Sequence, residues 1–427
     1  MPNARLAGAQ RGTRAATVPG VTAGVSTTTR VSALVVSAGV AGNQLASYLL
    51  NVIAARLLVP AAFGELGSLL AVLVIGAVPA MGMQTVAALR VARGHGEGGL
   101  VALGLVTAGV VTTVALAASP LLVVLLHLDS PVPPILVAVA LAGVTFNGLC
   151  LGILQGRRRF TAMAGLLTAD ALVRIGGTLV GLAVGGNAVG ALTGTAIGAA
   201  VVAGVGWFLC GRPRPRRHGK AHVGDVLHAV GAMLALVLLV NLDLVLARHF
   251  LPAHEAGEYA VGAIVAKIAY WLPQAVAILV LPRFASEHGR RRMVPVALAV
   301  CGALDLVVVA GAAGLGKTVV AVIGGGDYAG FPVWPFALVG SMLSLVQILM
   351  YSRIASNDRR STLLIWGAVV VEIVLVAGWL HGQLTQVVTA AVIANGVLVC
   401  AGALVELRSR REPVETPGDD RGHGEEQ

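Results

Sequence analysis

Asn51–Glu65 reads N-V-I-A-A-R-L-L-V-P-A-A-F-G-E, and Asp243–Glu258 reads D-L-V-L-A-R-H-F-L-P-A-H-E-A-G-E. Asn51 and Asp243 each stand five residues before an arginine, Arg56 and Arg248, and each arginine stands four before a proline, Pro60 and Pro252. After a one-residue insertion Gly64-Glu65 answers Gly257-Glu258, and farther on Pro79 answers Pro273 and Arg90 answers Arg283. The offset is about 190 residues, near half of the 427-residue chain, so the protein is read as two similar halves. In both copies a long apolar segment ends, turns at the proline and opens the next apolar segment.

Composition fixes the class. The chain is 57% hydrophobic and 12% charged, with a mean hydropathy of +0.86. A soluble core of that size would expose far more apolar surface than water tolerates. The apolar runs are continuous, not alternating with period two, which excludes a β-barrel. The expectation is an all-α integral membrane protein whose 55 glycines and 4% aromatics give helices lined by small residues, able to approach closely in lipid.

Residues 1–30 carry Arg5, Arg11, Arg14 and Arg30 and no acid, with no short apolar core or cleavage signal before the first long span. They read as a cytoplasmic tail. Spans of about 20 residues follow at 32–55, 66–89, 99–126, 133–154, 161–184, 187–210, 224–249, 258–282, 293–315, 331–352, 362–382 and 386–407. Six fall in each half. The domain reading is therefore a tail over 1–30, a first six-helix bundle over 31–210, a basic cytoplasmic linker over 211–223, a second bundle over 224–407 and a disordered cytoplasmic tail over 408–427.

Charge supports the count. With both termini cytoplasmic, the tails and inner loops hold 25 of the 30 lysines and arginines. Arg56, Arg248 and Lys317 fall in outer loops, and Arg174 and Lys267 fall inside spans. The net charge of +10 is thus a topology signal of a multi-pass plasma-membrane or inner-membrane protein, and the R-P-R-P-R-R run at 212–217 is a linker, not a nucleic-acid patch. Cys150, Cys210, Cys301 and Cys400 form no close pair, and no two histidines have ligand spacing on one helix face, so neither disulfide nor metal is expected.

Gly311 to Thr318, G-A-A-G-L-G-K-T, matches the phosphate-binding loop pattern letter for letter. That loop needs a soluble strand-loop-helix unit, whereas this copy closes a membrane span on the outer side. A glycine-rich helix end with an interfacial lysine is the reading, and no ATP binding or other cofactor is expected.

An ionised side chain in the bilayer costs about 2.5–3.5 kcal/mol on the mildest scale, so intramembrane charges face a cavity or a partner. Asp170 and Arg174 are four apart on one helix face and read either as a self-neutralising pair or as cavity groups. Lys267 lies roughly nine residues, or about 14 Å, into its span and either meets Asp243 or faces a cavity that takes an anion. Asp305 and Glu372 have no in-helix cation and read either as H+ or Na+ sites or as protonated packing residues.

The N-x-x-A-A-R-L-L-x-P-x-x-F-G-E stretch, L-Q-G-R-R-R-F at 154–160, the run 243–264 with L-P-Q-A-V at 272–276, and G-G-G-D-Y-A-G-F at 324–331 resemble the polysaccharide-biosynthesis branch of the multidrug, oligosaccharidyl-lipid and polysaccharide (MOP) exporter superfamily, the Wzx-type flippases of lipid-linked oligosaccharides. The likeness covers residues 30–407. It implies about twelve transmembrane helices in two parallel six-helix bundles around a central cavity, a parallel duplication that the repeat supports independently.

On that resemblance the chain is not an enzyme but a flippase moving a polyprenyl-diphosphate-linked glycan by alternating access. Arg174 and Lys267 would draw the diphosphate, and Asn43, Gln44, Asn51 and Gln274 the sugars. Pro79 and Pro273 read as hinges or as static kinks. Arg56 and Arg248 read as an outer gate with Glu65 and Glu258 or as interfacial anchors. The expected partners are the lipid bilayer, the lipid-linked glycan and other membrane proteins of the pathway. Three other classes stay open. An exporter of drugs or metabolites would couple to H+ or Na+ through Asp243, Asp305 or Glu372, and a degenerate transporter fold would serve as a scaffold. A membrane enzyme would need catalytic groups in a sizeable loop, and every loop here is short.

Overall fold

A computed structural model describes residues 42, 44–94, 96–215, 223–271, 287–328, 330–354 and 359–411. Among these the chain is all helical. The first half contains α1 (44–57), α2 (Pro60–Gly76), α3 (Val78–Ala92), α4 (Glu97–Leu125), α5 (Val132–Gly156), α6 (Phe160–Gly185) and α7 (Ala188–Leu209). The second contains α8 (Val223–Phe250), α9 (Ala253–Trp271), α10 (Glu287–Gly324), α11 (Trp334–Ile354), α12 (Arg359–Gly378) and α13 (Leu384–Arg411).

Local chemistry explains the breaks. Val59 is extended (φ −62°, ψ 152°), as a residue before proline prefers, and Pro60 opens α2 with its ring already at helical φ. Pro79 sits in the first turn of α3, and Ala77 just before it separates α2 from α3, so the two helices form one bent apolar segment, Pro60–Ala92. Gly186 ends α6 in the left-handed region (φ 63°), and the Asn187 side chain then accepts from Gly190 N at 2.9 Å to start α7.

Eight helical segments are long and apolar enough to cross a membrane, and Trp334–Leu349 and Thr362–Gly378 are shorter apolar helices. Glu255, Glu258 and Lys267 break the apolar run of α9. The molecule is inside-out relative to a soluble protein. Val184, Val124 and Leu306 are 85%, 71% and 70% exposed, whereas Glu372, Asn395 and Ser68 are fully buried. Apolar side chains face lipid and polar ones face the interior of this multi-pass membrane protein.

One expected boundary is corrected. The ninth span, expected at 293–315, continues as α10 to Gly324, so Lys317 lies in a helix and not in a loop, as do Arg56 in α1 and Arg248 in α8. Thr318–Ile323 continue the apolar run past the glycines, and in a membrane the helix is the way to satisfy every backbone group internally.

The duplication is visible in the packing. In the first half α3 packs on α5, α4 on α5, α5 on α7 and α6 on α7; in the second α9 packs on α11, α10 on α11, α11 on α13 and α12 on α13. Counting α2 and α3 as one span, these are the same four pairings made twice. The bundles meet where α2 crosses α8 and α9 and where α3 meets α8. At the centre of that junction the matched glycines of the repeat touch: a Cβ on Gly64 would lie 2.8 Å from Gly257 N, and one on Gly257 would lie 2.0 Å from the Pro60 carbonyl. No larger residue fits either position without parting the bundles there.

Candidate functional site

Asp243, on α8, anchors a buried polar cluster in the second half. Its Oδ1 accepts from Leu244 N at 2.8 Å and its Oδ2 accepts from the Tyr259 hydroxyl of α9 at 3.0 Å. Tyr259 is fully buried and meets Phe336 of α11 edge-on, with ring centroids 4.9 Å apart. Two turns along α9, Lys267 joins Asp243, Val240, Tyr270, Val339 and Leu343 in lining a small pocket. Lys267 and Asp243 line this pocket together, which fits either reading of the lysine, as a partner of Asp243 or as a cation facing a cavity.

Glu372 lies on α12, which packs against α8, the helix of Asp243. It is fully buried, and both carboxylate oxygens lack a hydrogen-bond partner among the described residues. A buried carboxylate without a hydrogen-bond partner is costly in an apolar surround, which singles out Glu372 among the intramembrane acids. The carboxylate of Asp305, on α10, lies apart from this cluster and accepts from the Ser344 hydroxyl of α11 at 2.8 Å. It ties two helices of one bundle together.

In the first half Arg174 of α6 donates from Nη2 to Ser47 Oγ of α1 at 2.8 Å, and its Nε lies 4.0 Å from Asp170 Oδ2. The next residue of α1, Tyr48, donates its hydroxyl to the Lys267 carbonyl at 3.4 Å. Consecutive residues of one helix therefore touch Arg174 on one side and the Lys267 backbone across the junction on the other. Asn51 donates one amide N–H back to Ser47 O of its own helix at 2.8 Å. Gln44 is half-buried on α1. Asn43, Pro273 and Gln274 lie outside the described residues.

Arg56 and Arg248 do not use Glu65 and Glu258 as hydrogen-bond partners in the described structure; each reaches a backbone carbonyl of the opposite half. Glu65 remains within electrostatic reach of Arg248, and Glu258 lies 3.7 Å from His254 Nε2. Pro79 lies at the α2–α3 bend. Gly311–Thr318 is helical throughout, inside α10, so its N–H groups are spent on the helix and form no anion cradle.

One contact was not foreseen. Arg157 forms a two-pronged pair with Glu97 at the start of α4 and donates from Nη1 to Cys210 O at 2.9 Å, clamping the ends of α4, α5 and α7. Its sequence signal, the Arg157–Arg159 run, was absorbed by the topology reading. Only the lone Glu97 at an otherwise basic helix end hinted at a partner.

No known protein-family model matches the chain, and no curated protein sequence matches it. Solved structures do. An inward-facing multidrug resistance MATE family transporter of the MOP superfamily superposes with a TM-score of 0.69, at 15% identity over 86% of this chain and 94% of that one. The lipid II flippase MurJ in an inward closed conformation gives 0.68, at 12% identity over 90% and 88%. The chain has the fold of these transporters. An outward-facing MATE transporter gives a TM-score of 0.59, at 16% identity over 89% and 95%.

Proposed function

We propose that the chain is a membrane transporter that flips a polyprenyl-diphosphate-linked glycan across the plasma membrane by alternating access. The observation that carries this reading is the placement of α1, whose Ser47 accepts from Arg174 Nη2 in one half and whose Tyr48 hydroxyl donates to the Lys267 backbone carbonyl in the other, so that one helix lies against both cation-bearing helices. A diphosphate needs cations in a site that excludes lipid, whereas its polyprenyl tail is soluble in hydrocarbon, so the protein has only to shelter the head. The fold is shared with a flippase of another lipid. The Wzx-type motifs at Asn51–Glu65, 154–160 and 324–331 favour a polysaccharide precursor as cargo.

In this reading the basic tails and loops stay in the cytoplasm and the Pro60 and Pro252 turns face outward. Arg174 and Lys267 receive the diphosphate from the inner side. Rocking of the bundle of 31–210 against that of 224–407 then exposes the head outside. No ATP is used. Partner proteins are other membrane components of the same polymer pathway.

The buried acids favour a second reading. Glu372 with Asp243 would couple export of a drug or metabolite to H+ or Na+, as the unpartnered Glu372 carboxylate suggests. The deciding experiment is flipping in proteoliposomes of a fluorescent polyprenyl-diphosphate-linked oligosaccharide, followed by a membrane-impermeant quencher. The proposal expects Arg174→Ala plus Lys267→Ala to slow flipping at least tenfold. Flipping at the rate of empty liposomes by the unaltered protein would refute the substrate.

A further inference from the structure

We infer that Arg56 and Arg248 are a matched pair of cross-bundle latches that hold the outer end of the molecule shut. The inference rests on the transporter reading above and assigns that transporter its gate.

A helix leaves its last carbonyls without intrahelical partners, and those carbonyls carry the negative end of the helix dipole. At the end of α4 the carbonyls of Leu122, Val123 and Val124 accept from Leu126, Leu128 and His127 of the same chain segment. The next two carbonyls are taken by the other bundle: Leu125 O by His249 Nδ1 at 2.8 Å and Leu126 O by Arg248 Nε at 3.1 Å. The second half returns the contact. At the end of α10, Gly325 N takes Ala321 O, and Arg56 of the first half takes Val322 O from Nε at 3.0 Å and from Nη2 at 2.5 Å.

These are corresponding elements. Arg56 and Arg248 stand at the same place in the repeat, each at the end of its half's first span, and α4 and α10 are the third spans of the two halves. Each first span thus caps the third span of the opposite bundle. A fixed ornament of one bundle would bond within that bundle. Contacts that run only between the bundles, once in each direction, must break when the bundles part at this end and must re-form when they close. The Tyr328 hydroxyl adds a third tie, donating to Ala55 O of α1 at 3.2 Å. The Gly64–Gly257 contact between the bundles follows the Pro60 and Pro252 turns, just after the two arginines in each copy of the repeat.

The two latches differ in strength. Arg248 is buried, whereas Arg56 is exposed and competes with water. Loss of Arg248 therefore opens this end further than loss of Arg56.

The test is a pulsed electron–electron resonance measurement on the full chain in nanodiscs, with spin labels at Val184 and Trp379, which are 85% and 72% exposed at corresponding helix ends of the two halves. Cys400, the exposed native cysteine, is replaced by serine. The unaltered protein should show mainly the short distance. Hydrogen bonds to a charged group predict that Arg248→Gln raises the ratio of long to short distances roughly tenfold, Arg56→Gln less, and both together up to about a hundredfold. Arg159→Gln, at the opposite end, should leave the ratio unchanged. A double variant whose distances superpose on those of the unaltered protein overturns the latch, as does an equal opening by Arg159→Gln. If the double variant does not fold, Arg248→Gln alone decides by the same criterion. The readout needs no substrate, so a latch that opens in a protein that flips no glycan refutes the cargo and not the gate.

Discussion

At Lys267 the fate of one charge decides the stability of its neighbour. The ammonium and Asp243 share a pocket between α8, α9 and α11, so removing the cation leaves a buried carboxylate held only by Tyr259 and Leu244 N. Lys267→Met should destabilise the protein by about 1–3 kcal/mol, and adding Asp243→Asn should restore most of the loss. Thermal unfolding of the two single variants and the double variant in detergent measures this coupling. Equal and additive losses would show that the two side chains do not interact. Glu372 behaves oppositely. Both of its carboxylate oxygens are buried without partners, so the neutral isostere in Glu372→Gln should leave the unfolding temperature unchanged or raise it, while abolishing any dependence of transport on an ion gradient. A gradient dependence that survives this substitution would place coupling elsewhere. These acids were legible in the sequence as charges inside spans. That the helices of Asp243 and Glu372, α8 and α12, pack together was not, because helix packing is a property that one sequence does not display.

At the scale of the helix, the junction of the bundles depends on Gly257. A Cβ there would lie 2.0 Å from the Pro60 carbonyl, and backbone cannot yield as a flexible side chain can. Gly257→Val should therefore cost about 1–3 kcal/mol or force the outer end apart, read as a lowered unfolding temperature or as a lengthened Val184–Trp379 distance. Neither change would show that the contact is looser than the geometry states. The repeat made this pair visible early, since Gly64 and Gly257 follow Pro60 and Pro252 in matched order. What the repeat did not show is that the two copies touch each other, which follows from an axis running between them. The extent of α10 was misjudged for a different reason. Gly311, Gly314 and Gly316 weaken a helix in water, but lipid leaves their backbone no other way to be satisfied. Arg157 shows the same limit, because a basic helix end is read as topology until Glu97 is placed beside it in space.

For the molecule as a whole, two bundles share one packing scheme, and α1, α8 and the ends of α4 and α10 carry reciprocal contacts between them. The span count and the halves follow from hydropathy, charge and the duplicated stretch, all of which are one-dimensional signals. The cargo is a matter of which groups face the cavity in each state, and that is a three-dimensional property. The measurement that bears most directly on it is the level of lipid-linked oligosaccharide on the inner face of the membrane in cells lacking the gene, complemented with the unaltered protein or with Arg174→Ala plus Lys267→Ala. The account predicts that precursor accumulates inside the deletion strain, that the unaltered protein clears it, and that the double variant does not, although it reaches the membrane in equal amount. Normal export of the precursor in the deletion strain would contradict the flippase assignment and leave the acid-coupled exporter as the reading to pursue.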